Sequence, residues 1–116
     1  MSAPLFTLSH QAKREFIAAL EWSEKHFGEE AALRYQQLLR TAFIEIRNDL
    51  EAPGSKVVDG FRLYHLRHCR KKAPVKGLIV KSPRHFLICR EREGVVEIAR
   101  TPHDQMNIEA KLRGMK

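Results

Sequence analysis

The stretch Phe27-Gly28-Glu29-Glu30 separates two helical patterns in the first half of the chain and thereby decides the fold. One apolar stripe runs from His10 to this point, with Ser9 as its N-cap, and a second runs on to Leu50, before Ala52-Pro53-Gly54. Two long helices joined by one glycine must fold back on each other, which predicts an antiparallel helical hairpin. The stripes are Ala12, Phe16, Ala19, Leu20 and Phe27, then Ala32, Tyr35, Leu39, Ala42 or Phe43, Ile46 and Leu50.

The second half of the chain changes to the pattern of short β-strands. Residues 61–69, 85–90 and 95–100 are rich in β-forming residues, and Glu93-Gly94 is a tight hairpin turn between the last two. The apolar run at residues 5–8 is long enough for an edge strand. These segments predict a small, mainly antiparallel sheet that packs against the helical hairpin.

The remaining segments complete a predicted α+β fold. Residues 70–83 form a long basic connection, in which residues 78–80 either remain in the loop or extend a strand. Asn107 caps a short final helix over residues 108–113. We therefore predict one domain over residues 1–116, with the order β-α-α-β-β-β-(α) and the hairpin on one sheet face.

The positive charge of the chain is concentrated in residues 62–92. This segment holds ten Lys/Arg residues and one acid, Glu91, whereas the rest holds 11 basic and 13 acidic residues, so the formal charge of +7 divides into +9 and −2. Such one-sided charge is typical of a surface that meets phosphates or an acidic partner, although charged segments more often form a solvated face. Because strand patterns cross the segment, we expect its cations to lie together on one sheet surface.

Composition also limits the cellular setting. The chain has no apolar run of membrane-spanning length, and its start, MSAPLFTLSH, does not resemble a signal peptide. Cys69 and Cys89 fall too far apart along the predicted hairpin for a disulfide bond. We expect a cytoplasmic protein with two reduced thiols and no membrane partner.

Histidines and cysteines are numerous enough to raise the question of a metal site. His65 and His68 point to opposite faces of a regular strand, and the chain contains no Cys-x-x-Cys spacing. We therefore expect no metal and no cofactor.

Four pieces of the chain, in this order, resemble the ParE branch of the ParE/RelE toxin superfamily of bacterial type II toxin–antitoxin systems. They are the two-helix first half, RLYHLRH at 62–68, SPRHFLICR at 82–90 and VEIARTPHDQM at 96–106. The resemblance extends from about residue 7 to residue 112. Asn107 stands where similar proteins commonly have Asp, and the loop at residues 71–81 is long for the superfamily.

The resemblance implies one of two toxic activities. ParE-like members inhibit DNA gyrase, whereas RelE-like members are metal-independent endoribonucleases that cut mRNA on the ribosome. In both branches a cognate antitoxin neutralises the toxin. We favour a gyrase inhibitor that is not an enzyme, with a ribosome-dependent mRNA interferase as the alternative.

The candidate binding residues come from the strand segments that carry the resemblance. A nuclease without a metal needs proton-transfer groups and cations that neutralise the phosphorane, and the chain lacks the C-terminal tyrosine of many RelE-like toxins. The catalytic candidates for that alternative are Arg67, Arg84, His85, Arg90 and His103. The full binding set is Arg62, His65, Arg67, Arg84, His85, Arg90, Arg100 and His103.

Several of these residues also have structural explanations. His103 beside Pro102 is typical of a histidine that packs a turn, and Arg90 and Arg100 are placed to bind carboxylates of the helices. His65 alternates with apolar neighbours, as a satisfied strand residue does. Trp22 and Phe27 are expected to pack the hairpin, while an exposed Trp22 would indicate a contact surface.

Overall fold

Two helices, α1 (His10–Phe27) and α2 (Glu29–Asn48), fold back on each other over a five-stranded sheet. The computed structural model describes residues 5–105 and 108–114. The strands are β1 (Leu5–Leu8), β2 (Lys56–Val58), β3 (Phe61–His65), β4 (Phe86–Arg92) and β5 (Val95–Arg100), and a short helix α3 (Ile108–Gly114) follows them. The predicted α+β fold is confirmed.

A capping serine begins the helical hairpin, and a glycine turn joins its two helices. The Ser9 hydroxyl accepts the backbone N–H of Ala12 at 3.0 Å and donates to the Ala99 carbonyl at 2.5 Å, so the N-cap also joins α1 to β5. Gly28 links the helices with φ +94°, a conformation that favours glycine. Glu29 and Glu30 then place negative charge at the N-terminus of α2.

The sheet has the order β1-β5-β4-β3-β2. Strand β1 runs parallel to β5, whereas the other neighbouring pairs are antiparallel. Sequence reasoning missed β2, a three-residue edge strand, and predicted that β3 continues to Cys69. The strand ends at His65 because this imidazole accepts the Arg67 N–H at 3.0 Å and caps the first of two short 3₁₀ turns.

Apolar side chains pack on both faces of the sheet. The helical hairpin covers one face, where Leu38, Leu39 and Ile46 of α2 join Leu87 and Ile98 in one buried cluster. Helix α3 covers part of the other face through Leu112, which packs with Phe61 and Ile88. The predicted stripe of α2 is thus confirmed, and it holds the sheet beneath the hairpin.

Trp22 and Phe27 are 55% and 68% exposed, so the expectation that they pack the hairpin is wrong. Residues 78–80 form no strand, since Val75 and Leu78 close a turn in which Lys76 and Gly77 have positive φ. Both cysteines are free, as predicted, and both are buried.

The expected cap residue Asn107 lies outside the described residues, while the helix that it precedes is confirmed. Among the helices of the described residues, none is both long and apolar enough to cross a membrane.

Candidate functional site

A basic cleft of about 480 Å³ opens at one end of the sheet. The carboxyl end of β3 and the amino end of β4 meet there with the chain that leaves β5, because these strands are antiparallel. The residues that line the basic cleft are His65, Arg67, His68, Arg70, Lys81, Ser82, Pro83, Arg84 and Asp104.

Positive charge dominates the cleft. Arg67, Arg70, Lys81 and Arg84 face a single carboxylate, that of Asp104. Burial lowers the pKa of His65, and partial loss of hydration together with the charge of Arg67 lowers the pKa of the more exposed His68. The two imidazoles are therefore neutral at pH 7, and the lining has a formal charge of +3. Such a cleft attracts phosphates or carboxylates.

Asp104 orders this end of the sheet. Its Oδ2 accepts a hydrogen bond of 3.0 Å from Nε2–H of His65, whose Nδ1 already accepts the Arg67 N–H. Its Oδ1 lies 3.3 Å from Nε of Arg84. Burial raises the pKa of Asp104, but the His65 hydrogen bond and the Arg84 charge outweigh it and lower the pKa overall. The ionised carboxylate therefore holds His65 in one tautomer and keeps Arg84 beside the cleft.

Tyr35 connects helix α2 to the same region. Its hydroxyl accepts the Arg84 N–H at 3.1 Å and donates to Nδ1 of His85 at 2.5 Å. Burial raises the pKa of Tyr35 to about 12, and burial together with neighbouring His103 lowers the pKa of His85 to about 4. Both groups are neutral at pH 7, so they form a structural hydrogen-bonded pair behind the cleft.

His103 packs against this pair from the chain after β5. Its ring centre lies 5.3 Å from that of His85, and its Nδ1 accepts the Gln105 N–H at 3.1 Å. His103 therefore packs a turn, and its ring nitrogen bonds to a backbone N–H group.

The other three predicted cations lie outside the basic cleft, each beside a glutamate. Arg62 pairs with Glu51 at 3.4 Å, and Arg90 pairs with Glu97 at 2.8 Å. Arg100 makes two hydrogen bonds of 2.9 Å to Glu15 of α1. The expectation of one continuous basic sheet surface is wrong here, because each of these three cations is paired with a glutamate outside the cleft.

Of the eight predicted site residues, the cleft brings together His65, Arg67 and Arg84, with His85 and His103 behind them. Sequence reasoning missed His68, Arg70, Lys81 and Asp104. The signal for Asp104 was present in the Arg-x-x-His-Asp pattern, whereas the position of the loop cations depended on how residues 70–83 fold.

Within residues 5–105 and 108–114, no group of three or more His, Cys, Asp or Glu side chains is arranged to hold a metal ion.

Known proteins offer a structural similarity but no sequence match. No protein-family model matches the chain, and no curated protein matches it. A chain of the solved structure "Chromosomal ParDE TA system from P. aeruginosa" is similar, with a TM-score of 0.63. The two chains are 13% identical, and the similarity covers 85% of this chain and 94% of the other. What they share is the fold.

Proposed function

We propose that the protein is the toxin of a type II toxin–antitoxin system and that it inhibits DNA gyrase in the cytoplasm as ParE-like toxins do. The observation that carries this proposal is the fold shared with a chain of a ParDE TA system over 85% of the protein. The motifs at 62–68, 82–90 and 96–106, which resemble ParE sequences, supply independent support.

The basic cleft supports a neutralising antitoxin of acidic character. Arg67 is exposed and the Arg84 side chain is 48% exposed, so both guanidinium groups are accessible to carboxylates of a partner segment. Charge complementarity of this kind accelerates association and makes it sensitive to salt. We expect the antitoxin segment to cover the cleft and to bind less tightly as salt rises.

Protonation states at the cleft favour an inhibitor over a nuclease. Cleavage of RNA without a metal needs a base and also an acid that is protonated at neutral pH. His65 uses both ring nitrogens in hydrogen bonds, and His68, whose pKa is lowered, is neutral at pH 7 and so can accept a proton but not supply one. This supports a binding role for the site.

A ribosome-dependent mRNA interferase is the second candidate function. The observation that favours it is the combination of the Arg67, Arg70 and Arg84 side chains with the neutral, exposed His68 in one cleft. In that case His68 would act as the base and the arginines would stabilise the phosphorane.

One paired assay on the purified chain separates the two functions. The protein is added to a gyrase supercoiling reaction and, in parallel, to a cell-free translation reaction with a defined mRNA. We expect inhibition of supercoiling with intact mRNA. Ribosome-dependent mRNA cleavage that is lost in His68→Ala, with unaffected supercoiling, would establish the second candidate. A chain that affects neither reaction contradicts both.

A further inference from the structure

Three exposed aromatic rings form a cluster at the tip of the helical hairpin. The ring of Trp22 stacks on that of His26 with centroids 4.3 Å apart and meets the edge of Phe27 at 5.5 Å. Trp22 and Phe27 are 55% and 68% exposed. We call these three residues the aromatic tip. Exposed large rings in contact with one another are typical of interaction surfaces.

The rings of the aromatic tip are held in place before any partner arrives. Nδ1–H of His26 donates to the backbone carbonyl of Trp22, one helical turn earlier, at 2.9 Å. This hydrogen bond holds the imidazole in its stacked position against the indole ring. Gly28 follows directly, and its turn places the start of α2 beside Phe27. Because the rings already contact one another, a partner loses little free energy in ordering them.

The surroundings of the aromatic tip are acidic, although the chain as a whole carries +7. Residues 21–30 contain four glutamates and one lysine, a formal charge of −3. All five charged side chains are exposed; they are Glu21, Glu24, Lys25, Glu29 and Glu30. The sign is opposite to that of the basic cleft, so the two surfaces select partners of opposite charge.

We propose that the aromatic tip is a second docking surface, which binds an arginine-bearing cationic segment of a partner protein. A guanidinium group stacks on an indole or phenyl ring, and the planar group also forms two parallel hydrogen bonds to a carboxylate. The exposed rings and the exposed glutamates of residues 21–30 belong to the same tip of the hairpin and offer both kinds of interaction. This inference is independent of the toxin proposal, because it uses none of the residues of the basic cleft.

Trp22 makes the proposal directly measurable, since it is the only tryptophan of the chain. The full chain is titrated with amidated hexa-arginine while Trp22 emission is recorded, with hexa-lysine and hexa-glutamate as comparison peptides. We expect a saturable change with hexa-arginine, a weaker one with hexa-lysine and none with hexa-glutamate. The guanidinium group stacks better than the ammonium group, which explains the order.

Matched variants separate the tip from general charge attraction. Phe27→Ala is expected to weaken hexa-arginine binding about fivefold, whereas Ile17→Ala, a change at another exposed apolar residue of α1, leaves it unchanged. Glu24→Gln with Glu29→Gln also weakens binding. Glu91→Gln with Glu93→Gln changes the net charge equally at the β4–β5 turn and is expected to have little effect. Circular dichroism of each variant checks that it is folded.

Two results would overturn the proposal. Emission that falls linearly without saturation, or equally in the tip variants and their controls, would mean that the peptide quenches Trp22 by collision or binds elsewhere. Sedimentation velocity tests a different occupant. Self-association of the free chain that disappears in Trp22→Ala would assign the tip to a second copy of the protein.

Discussion

The hydroxyl of Tyr35 lies 2.5 Å from Nδ1 of His85, although 50 positions separate the two residues in the chain. Tyr35 belongs to the buried stripe of α2, and His85 directly precedes β4. The same hydroxyl accepts the N–H of Arg84, whose side chain lines the basic cleft. The helical layer thus fixes the backbone that presents a cleft cation, which couples core packing to the site.

Replacement of Tyr35 by Phe tests this coupling. Tyr35→Phe leaves the Arg84 N–H and His85 Nδ1 without their partner, so we expect a loss of about 1–3 kcal/mol in the free energy of unfolding. Urea denaturation measures it. The control is Thr41→Ala, which removes a surface hydroxyl bond to the Gln37 carbonyl on the same helix and should change stability by less than about 0.5 kcal/mol. Equal effects of the two changes would contradict the proposed coupling.

Acid is expected to destabilise the fold through its buried histidines. The pKa of His85 is about 4 in the folded chain, below the ordinary value of 6.5, and that of His65 is also lowered. A histidine whose pKa is lower in the folded chain than in the unfolded chain stabilises the fold at pH values above its unfolded pKa. This stabilisation is lost as the pH falls. The free energy of unfolding should therefore decrease as the pH falls from about 6.5 towards about 4.

His85→Asn identifies the source of this pH dependence. Asparagine keeps an acceptor for the Tyr35 hydroxyl but does not titrate, so the stability profile between pH 4 and pH 6.5 should become flatter. Thermal denaturation across that range provides the measurement. His10→Asn, at an exposed position that begins α1, is the control and should leave the slope unchanged.

The three ion pairs outside the cleft are not equivalent. Arg100 and Glu15 are only 14% and 18% exposed, and Glu15 also accepts the Thr101 N–H, whereas Glu51 beside Arg62 is 80% exposed. Glu15→Gln leaves the poorly hydrated guanidinium of Arg100 without its carboxylate partner. It should lower the free energy of unfolding by about 3 kcal/mol. Glu51→Gln should lower the free energy of unfolding by less than about 1 kcal/mol, and urea denaturation measures both changes. Similar losses in the two variants would show that burial does not determine how much these ion pairs stabilise the fold.

The basic cleft is expected to dominate binding to polyanions. Arg67→Gln with Arg84→Gln removes two of its four cations and should lower the salt concentration at which the chain elutes from immobilised heparin. Lys13→Gln with Arg14→Gln removes the same charge from exposed positions of α1 and should lower the elution salt concentration less. Equal elution of the two variants would assign heparin binding to net charge alone.

Gly54 provides a way to move His68 without replacing it. A Cβ at Gly54, which has φ +95°, would overlap the His68 ring, whereas at Gly60, with φ +82°, it would meet no atom within 4 Å. Both changes to Ala carry backbone strain of about 1 kcal/mol, but only Gly54→Ala must displace the imidazole. We expect a larger stability loss for Gly54→Ala, and the excess should vanish in a His68→Ala background. If the excess stability loss persisted in the His68→Ala background, the added Cβ would clash with a group other than the His68 ring.

The sequence predicted the elements that depend on local periodicity. The cap at Ser9 and the glycine at position 28 led to bounds of α1 that the structure confirms, α2 ends two residues before the predicted Leu50, and β5 has its predicted limits. Strand β2 has only three residues, too few to show alternation, and the end of β3 depends on a side-chain cap at His65. These two errors arose where one hydrogen bond or one neighbouring strand, and not a repeated pattern, decides the structure.

Amino-acid order alone determined the helical hairpin, the strand hairpin and the concentration of charge in residues 62–92, because helix and strand periods and turn residues act over a few positions. The tertiary structure decided which cations remain accessible. Glu15 and Glu97 pair with Arg100 and Arg90, while Arg67 and Arg84 remain at the cleft with Asp104. Partner choice among charged groups depends on distances between packed elements, and these distances exist only after the chain has folded.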